Sequence, residues 1–334
     1  MKGLAAFLVF GRMHFAATSL AITGLVFMCT LAYIHLNTPN LETMGLFYRE
    51  QLALPATFKL DMRTGETEFV SGIKALFAAE SLMFCGHERQ IILTKADIPS
   101  LREVGLEVAA PRWRPACLIL RKLDAVTVEQ HPIFKKAMAL TDPEGNRIVF
   151  GAGSRVNKRA IKGETKGDNK GVNNQDANRR TPMLARLQHF GLGTSRISEL
   201  AAFYQNKLGF ALSDYVTGED RKLRSTFMRG TEEHHLLALF GNGQPGLDHF
   251  SFEAPNWNGI RDWADHFAQF GTQIFWGAGR HGVGNNLFIF VHDPDGNMVE
   301  ISAELEQVPF GRPAGHWSFD YKAFNLWGPA AIRV

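Results

Sequence analysis

Cysteine is scarce in this sequence. Three occur in 334 residues, Cys29, Cys85 and Cys117, odd in number, far apart and with no CxxC pair. That excludes a disulfide framework and a thiolate metal site, and it suits a reducing compartment. Any metal must therefore be held by histidine and carboxylate. Charge of one sign is also in short supply. Lys and Arg total 36 against 33 Asp and Glu, a net charge of +3, too small a surplus to mark a nucleic-acid binder by itself. Disorder is excluded by an apolar fraction of 45%, which is enough for a sizeable core. One long uncharged run exists, from Phe15 to Tyr33, with Lys2 and Arg12 ahead of it. Ser, Thr and Gly dilute it, and no small-x-small cleavage site precedes LAYIHLN, which reads as a first strand. Residues 1–30 are read as an uncertain hydrophobic leader. No membrane partner is expected and a cytoplasmic location is favoured, with export or anchoring through this stretch left open.

Repetition is what the sequence does have, and it sets the organisation. HLNTPNLETMGLFYREQLAL (35–54) parallels HFGLGTSRISELAAFYQNKLGF (189–210), and TDPEGNRIVFG (141–151) parallels HDPDGNMVEIS (292–302). Tyr48 and Tyr204 are 156 residues apart, and Asp142 and Asp293 are 151 apart. The chain thus reads as two related halves. Within the second half, LQHFGLG (187–193) and LDHFSFE (247–253) share L-x-H-F. Each precedes a helical stretch, Ile197–Leu208 or Trp257–Phe270, and then three strands. Those strands are expected near 212–216, 223–229 and 235–240, then near 272–276, 287–291 and 297–301. The order is βαβββ, twice. Side chains alternate between the faces of a strand, so a histidine at the same place in both copies faces the same side. Between the halves, residues 153–182 form a polar basic linker with eight Lys/Arg against three Asp/Glu before residue 181. No aromatic interleaves its charges, so a nucleic-acid arm is not expected.

Seven of the twelve histidines fall between 189 and 292. His189 and His249 head the two L-x-H-F strands, and Glu300 stands inside an otherwise apolar strand seven residues after Asp293. The first half serves as an internal control. Val149 takes the position of Glu300, and the unit beginning near Trp113 (WRPACLILRKL) has no histidine at the position of His249. Only His35 has a counterpart, in His189. A purely structural need for these polar groups is expected to show in both halves. The site is therefore placed in the second half and the scaffold in the first. Two imidazoles and one carboxylate on adjacent strands form the facial triad that leaves positions open and suits non-haem Fe(II). Residues 306–334 are an aromatic-rich tail that closes the pocket, covers the barrel edge or makes a subunit contact.

These motifs resemble the type I extradiol ring-cleavage dioxygenases, catechol 2,3-dioxygenase-like members of the vicinal oxygen chelate (glyoxalase/bleomycin resistance) superfamily. The resemblance covers about residues 30–305 and is strongest over 187–305. It implies an α+β fold with four βαβββ modules in two tandem domains, each a curved mixed β-sheet. Residues 31–152 would be the non-catalytic domain and residues 183–305 the catalytic one. It also implies Fe(II), with Mn(II) as the other metal, bound by His189, His249 and Glu300. His235, fourteen residues before His249, matches the family's acid–base histidine. Its neighbour His234 leaves that assignment open by one residue, and strand geometry, which turns only one of the two inward, favours His235. His281, in GRHG, matches the histidine that hydrogen-bonds a substrate hydroxyl. Nine residues after His281 the family has a tyrosine, and here Phe290 stands there. Trp276 replaces an arginine of members that take acid-bearing catechols, which favours a more apolar substrate. The activity implied is O2-dependent cleavage of a catechol by an oxidoreductase of EC 1.13.11 type, in a homo-oligomer. The alternatives are another metal-dependent enzyme of the superfamily (isomerase, lyase or thiol transferase) and a non-catalytic aromatic-ligand binder.

Overall fold

The structure is a computed structural model that describes residues 28–54, 56–70, 79–86, 89–155, 182 and 186–331. Most of the hydrophobic leader and of the basic linker lies outside the described residues. Among those residues, no helix is long and apolar enough to cross a membrane.

Two nine-stranded mixed sheets carry the architecture. The first comprises β1 (Cys29–Thr38), β2 (Ala56–Leu60), β3 (Thr67–Phe69), β4 (Ser81–Gly86), β5 (Arg89–Lys95), β6 (Ser100–Val108), β7 (Val126–Thr127), β8 (Phe134–Thr141) and β9 (Arg147–Ser154). Its spatial order is β3-β2-β4-β5-β1-β6-β9-β8-β7. The second comprises β10 (Leu187–Gly193), β11 (Ala211–Thr217), β12 (Leu223–Arg229), β13 (Leu237–Phe240), β14 (Gly246–Glu253), β15 (Ile274–Arg280), β16 (Leu287–His292), β17 (Met298–Ala303) and β18 (Gly315–Ser318). Its order is β15-β16-β17-β14-β10-β13-β12-β11-β18. In each sheet two modules meet through one antiparallel pair, β1 with β6 and β10 with β14.

The four modules expected from the repeats are present, with differences of detail. The first carries the extra short strand β3. The segment WRPACLILRKL does not begin a unit: Trp113–Lys122 is a helix, and its module begins earlier, at β6. Its Ala116 and Leu120 are buried and its basic residues are exposed, the pattern of an amphipathic helix lying on a sheet. The tail after residue 305 adds β18 to the edge of the second sheet, parallel to β11.

Alternation decides which side chains reach the site. In β14, Phe250 and Phe252 join the main apolar core under the helices, so His249 and Ser251 face the concave side. Val299 and Ile301 of β17 join the same core, which turns Glu300 the other way. The helix Trp257–Gln269 buries Ile260, Trp263 and Phe267 at helical spacing, and the Asn256 side chain caps it by accepting from the Gly259 N–H at 3.3 Å.

The halves are locked by reciprocal contacts. In each DPxGN turn the aspartate accepts backbone N–H bonds from its own turn, and glycine takes a positive φ, +91° at Gly145 and +85° at Gly296. Each aspartate also accepts a buried tyrosine hydroxyl from the other half. Tyr48 donates to Asp293 at 2.8 Å, and Tyr204 donates to Asp142 at 3.0 Å. The two repeated tyrosines therefore fasten one half to the other.

Candidate metal centre

His189 on β10, His249 on β14 and Glu300 on β17 come together on the concave face of the second sheet. They are the one group of potential ligands found among the described residues, all three buried, with ligand atoms within 4.8 Å of one another. His189 Nε2 lies 2.8 Å from Glu300 Oε2, and His249 Nε2 lies 3.9 Å from it. Donors on one divalent ion at bonds of ~2.1 Å sit about 3 Å apart when cis, so this spacing fits a shared cation. Local backbone makes the approach feasible. A Cβ at Gly191, paired with His249 across the strands, would lie 2.7 Å from the His249 ring, so glycine is required there.

The outer contacts leave the inner atoms unused. Asp248 Oδ1 holds His249 Nδ1 at 2.6 Å, the carboxylate–histidine arrangement that orients a metal-binding imidazole. Glu300 Oε1 accepts from Asn286 Nδ2 at 3.2 Å and lies 3.3 Å from His281 Nε2. Glu300 Oε2 is fully buried yet has no partner in hydrogen-bond geometry. A buried, unsatisfied carboxylate oxygen is costly unless something fills its coordination, and a cation between it and the two imidazoles does so. Burial would raise the Glu300 carboxyl, but His189 and His281 outweigh it and hold it well below the usual range. Burial, against the pull of Glu300, keeps His189 below its ordinary value. Neutral imidazole beside ionised carboxylate is the form that binds metal.

A cavity of about 760 Å³, part of it open to solvent, lies against this group and is lined by His189, His249, His235 and His281 among aromatic walls. His235 lies close to His189, with ring centroids 4.3 Å apart and the planes tilted by 56°. The expectation that His234 and His235 alternate along a strand is wrong. Both precede β13 in an irregular segment, and both are buried. His235 lines the cavity, whereas His234 turns to Asp214 at 3.3 Å. His281 lines the cavity too, but its Nδ1 bonds the Phe324 carbonyl at 2.5 Å and its ring stacks on Phe288. Phe290 is paired with Glu300 across the strands and lies edge-on to His249. Trp276 stacks on Phe290, and its indole N–H donates to the Pro329 carbonyl at 3.2 Å. The tail both extends the sheet and covers the cavity, through Phe319, Ala323 and Phe324.

Sequence reasoning missed Asn286, which no spacing signals, and Asp248, which the repeated L-x-H-F pattern could have suggested. It also misjudged the control. The first half is not free of buried polar groups at the equivalent place. Glu103 of β6 takes the His249 position and lies 3.6 Å from His35 Nδ1, and the same registers place Tyr33, not His35, at the position of His189, with His35 at that of Gly191. It accepts from Tyr33 at 2.7 Å and from Arg147 at 2.9 Å, and Tyr33 in turn meets His131 at 2.9 Å. Val149 does take the Glu300 position, and Tyr33, Met83 and Phe134 help fill the concavity. What distinguishes the halves is that the first saturates its buried carboxylate with protein groups, whereas the second leaves one oxygen open.

This saturation has a measurable signature. Burial would raise the Glu103 carboxyl, but contacts from His35, Tyr33 and Arg147 bring it down to about 2. Burial keeps His35 below its ordinary value, so Arg147 is the lasting cation. A depressed carboxyl stabilises the fold above its unfolded value and loses that contribution as pH falls through the folded one. Glu103→Gln is therefore expected to cost on the order of 2 kcal/mol at pH 7. The gap from the unchanged protein should close between about pH 4.5 and 2. Urea unfolding of both chains across that range measures it, and a gap independent of pH would refute it.

Comparison with known proteins agrees with the geometry. Residues 186–301 match the family model of the Glyoxalase/Bleomycin resistance protein/Dioxygenase superfamily. Metapyrocatechase 2 of Cupriavidus necator is 30% identical over 195 residues, covering 56% of this chain and 59% of that protein. The match thus spans about three fifths of that relative's length. Homoprotocatechuate 2,3-dioxygenase of Arthrobacter globiformis superposes with a TM-score of 0.69 at 20% identity, covering 90% of this chain and 87% of the other. The Mn(II)-bound glyoxalase of Novosphingobium aromaticivorans does so with a TM-score of 0.66 at 18% identity, covering 90% of each chain. At these identities the two structures speak to the fold, which is the tandem α+β architecture expected from the repeats. Residues 186–301 thus match this superfamily, 56% of the chain is similar to metapyrocatechase 2, and the chain shares its fold with homoprotocatechuate 2,3-dioxygenase.

Proposed function

We propose that the chain is an Fe(II)-dependent extradiol dioxygenase that opens a catecholic ring beside its two hydroxyls with O2. One observation carries the reading: His189, His249 and Glu300 converge, buried and with one oxygen unsatisfied, at the wall of an aromatic cavity. Iron bound there would supply sites for a vicinal diol and for O2, and the same oxygen and nitrogen donors also suit Mn(II). The remaining work falls to the chain. Trp276, Phe240 and Phe290 hold the ring and keep water out. His235 is the proton carrier of the cavity. Burial first, then His189 and His234, keep it well below its ordinary value, so its ring stays neutral and able to accept a proton. His281 fixes the second oxygen of Glu300 and stands where a substrate hydroxyl would enter.

The substrate's substituent follows from the same walls. Among the described residues, Arg224 is the only lysine or arginine lining the cavity, and it is already paired with Asp220 at 3.0 Å and lies over Phe319. A catechol with an alkyl or aryl substituent suits such walls, and one with a carboxylate finds no free cation among the described residues. Phe290 in place of tyrosine, together with the fold shared with a glyoxalase, favours a second reading: an isomerase, lyase or thiol transferase on the same donors.

The test is anaerobic loading with Fe(II), metal analysis and a panel of catechols followed by O2 uptake and ring-opened product colour. Turnover is expected, with kcat/KM for apolar catechols at least about tenfold above carboxylate-bearing ones. Stoichiometric iron with no O2 uptake on any catechol would sink this reading and leave the second.

A further inference from the structure

We propose that Asp214 and His234 act as positioning residues for His235, fixing which of its nitrogens carries the proton and tying that choice to closure of the C-terminal tail. The proposal concerns the role of His235 and so rests on the reading above, but its test does not require turnover.

The geometry is a chain of three buried groups. His234 Nδ1 lies 3.0 Å from His235 Nδ1. Two ring nitrogens at that distance share one proton, so one donates and the other accepts. The far nitrogen of His234, Nε2, faces Asp214 Oδ2 at 3.3 Å, inside ion-pair range although outside hydrogen-bond geometry. A carboxylate can only accept, so the His234 proton belongs on Nε2. In its neutral form His234 then offers a lone pair at Nδ1. His235 must donate there and carry its own proton on Nδ1. Its Nε2 is left as a lone pair, on a ring that lines the cavity. A carrier in that form takes a proton, for instance from a substrate hydroxyl, before it returns one. The opposite tautomer would begin with Nε2–H and could not.

Asp214 is held by more than His234. Its Oδ1 accepts from the Gly315 N–H at 3.1 Å and from Arg312 at 2.9 Å, and its Oδ2 accepts from the Trp317 indole at 2.8 Å. These donors belong to the tail, whose β18 runs beside the strand that bears Asp214. The tail then passes Phe319, Ala323 and Phe324 over the cavity. A single carboxylate thus contacts both the strap that covers the cavity and the histidine that orients His235. Tail anchoring alone would explain the contacts of Gly315, Arg312 and Trp317. It would not explain a fully buried second histidine placed between Asp214 and His235.

The experiment uses the whole chain, labelled with 15N at histidine and loaded with diamagnetic Zn(II), and reads side-chain 15N shifts together with tryptic cleavage of the tail at Lys322. In the unchanged protein His235 should show protonated Nδ1 and bare Nε2. His234→Phe removes the acceptor, so His235 should shift toward Nε2–H while tail cleavage stays as it was. His234→Asn, whose amide oxygen can stand near the lost Nδ1, should restore the original tautomer. Asp214→Asn should disturb the His235 shifts and also speed tail cleavage by roughly tenfold, the scale of losing charge-assisted hydrogen bonds. If His234→Phe does not fold, His234→Gln is read in its place. An unchanged His235 tautomer in that variant overturns the proposal, as does Asp214→Asn that loosens the tail while leaving His235 as it was. Inactivity of the unchanged enzyme on every catechol would count against the dioxygenase reading and would leave these shifts interpretable.

Discussion

Replacing His249 by alanine is expected to abolish metal binding, whereas replacing His35 is expected to leave it intact. The two residues stand on corresponding halves of a duplicated fold, and both are buried. Their surroundings differ in what is left over. His249 has its Nδ1 bound by Asp248 and its Nε2 aimed toward Glu300. His35 bonds Thr94 at 2.8 Å through Nε2 and faces a carboxylate already met by Tyr33 and Arg147. Changes to groups outside the ligand set cost about 10–100-fold in metal affinity. Losing a ligand from a set of three should exceed that, enough to reduce metal from about one per chain to background. His35→Ala should instead lower thermal stability, because it removes a partner of Glu103. Metal analysis after dialysis, with melting curves of the metal-free proteins as a folding control, separates the two. Equal metal loss in both variants would contradict the division into a binding half and a scaffold half.

His235→Ala carries the second large effect. A positioned general acid–base group contributes about 10²–10⁴ to rate, so turnover of the preferred catechol should fall by that factor. Metal content should not change, since Asp248 holds His249, and Asn286 and His281 hold Glu300, without help from His235. Steady-state rates beside metal analysis give both numbers. A variant that loses its metal would reassign His235 as a fourth ligand. One that keeps full turnover would remove it from the proton path.

Much of the fold could be read from the sequence because duplication repeats its signals. L-x-H-F, the FY pair and DPxGN each occur where a module needs the same strand, helix or turn. The burial of Glu300 was legible because a carboxylate in an apolar strand is expensive and calls for a partner. Other features could not be read. WRPACLILRKL is a helix inside its module, whose opening strand β6 carries Arg102, Glu103 and Glu107 and so lacks the apolar L-x-H-F signal of the second-half modules. Glu103 looked like an ordinary charge in S-L-R-E-V, because register against β1, not local pattern, brings it to His35. The His234–His235 pair defied strand logic because the chain is irregular just before β13, where both rings can be buried. The tail's contact with Asp214 joins residues about a hundred apart, beyond what any local pattern reveals.

The exchange of tyrosines between the halves has a consequence for how the protein can be divided. Tyr48 reaches Asp293 and Tyr204 reaches Asp142, the reciprocity that a two-fold axis imposes when identical copies meet. The chain therefore behaves at this seam like a dimer whose subunits have been joined end to end. Cutting it between residues 155 and 186 would not release a self-sufficient binding half. It would leave two tyrosine hydroxyls without their partners, while each aspartate kept only the bonds of its own turn, and each half would have to find a second copy to restore the exchange. The half without the candidate ligands is thus the subunit against which the other half is built.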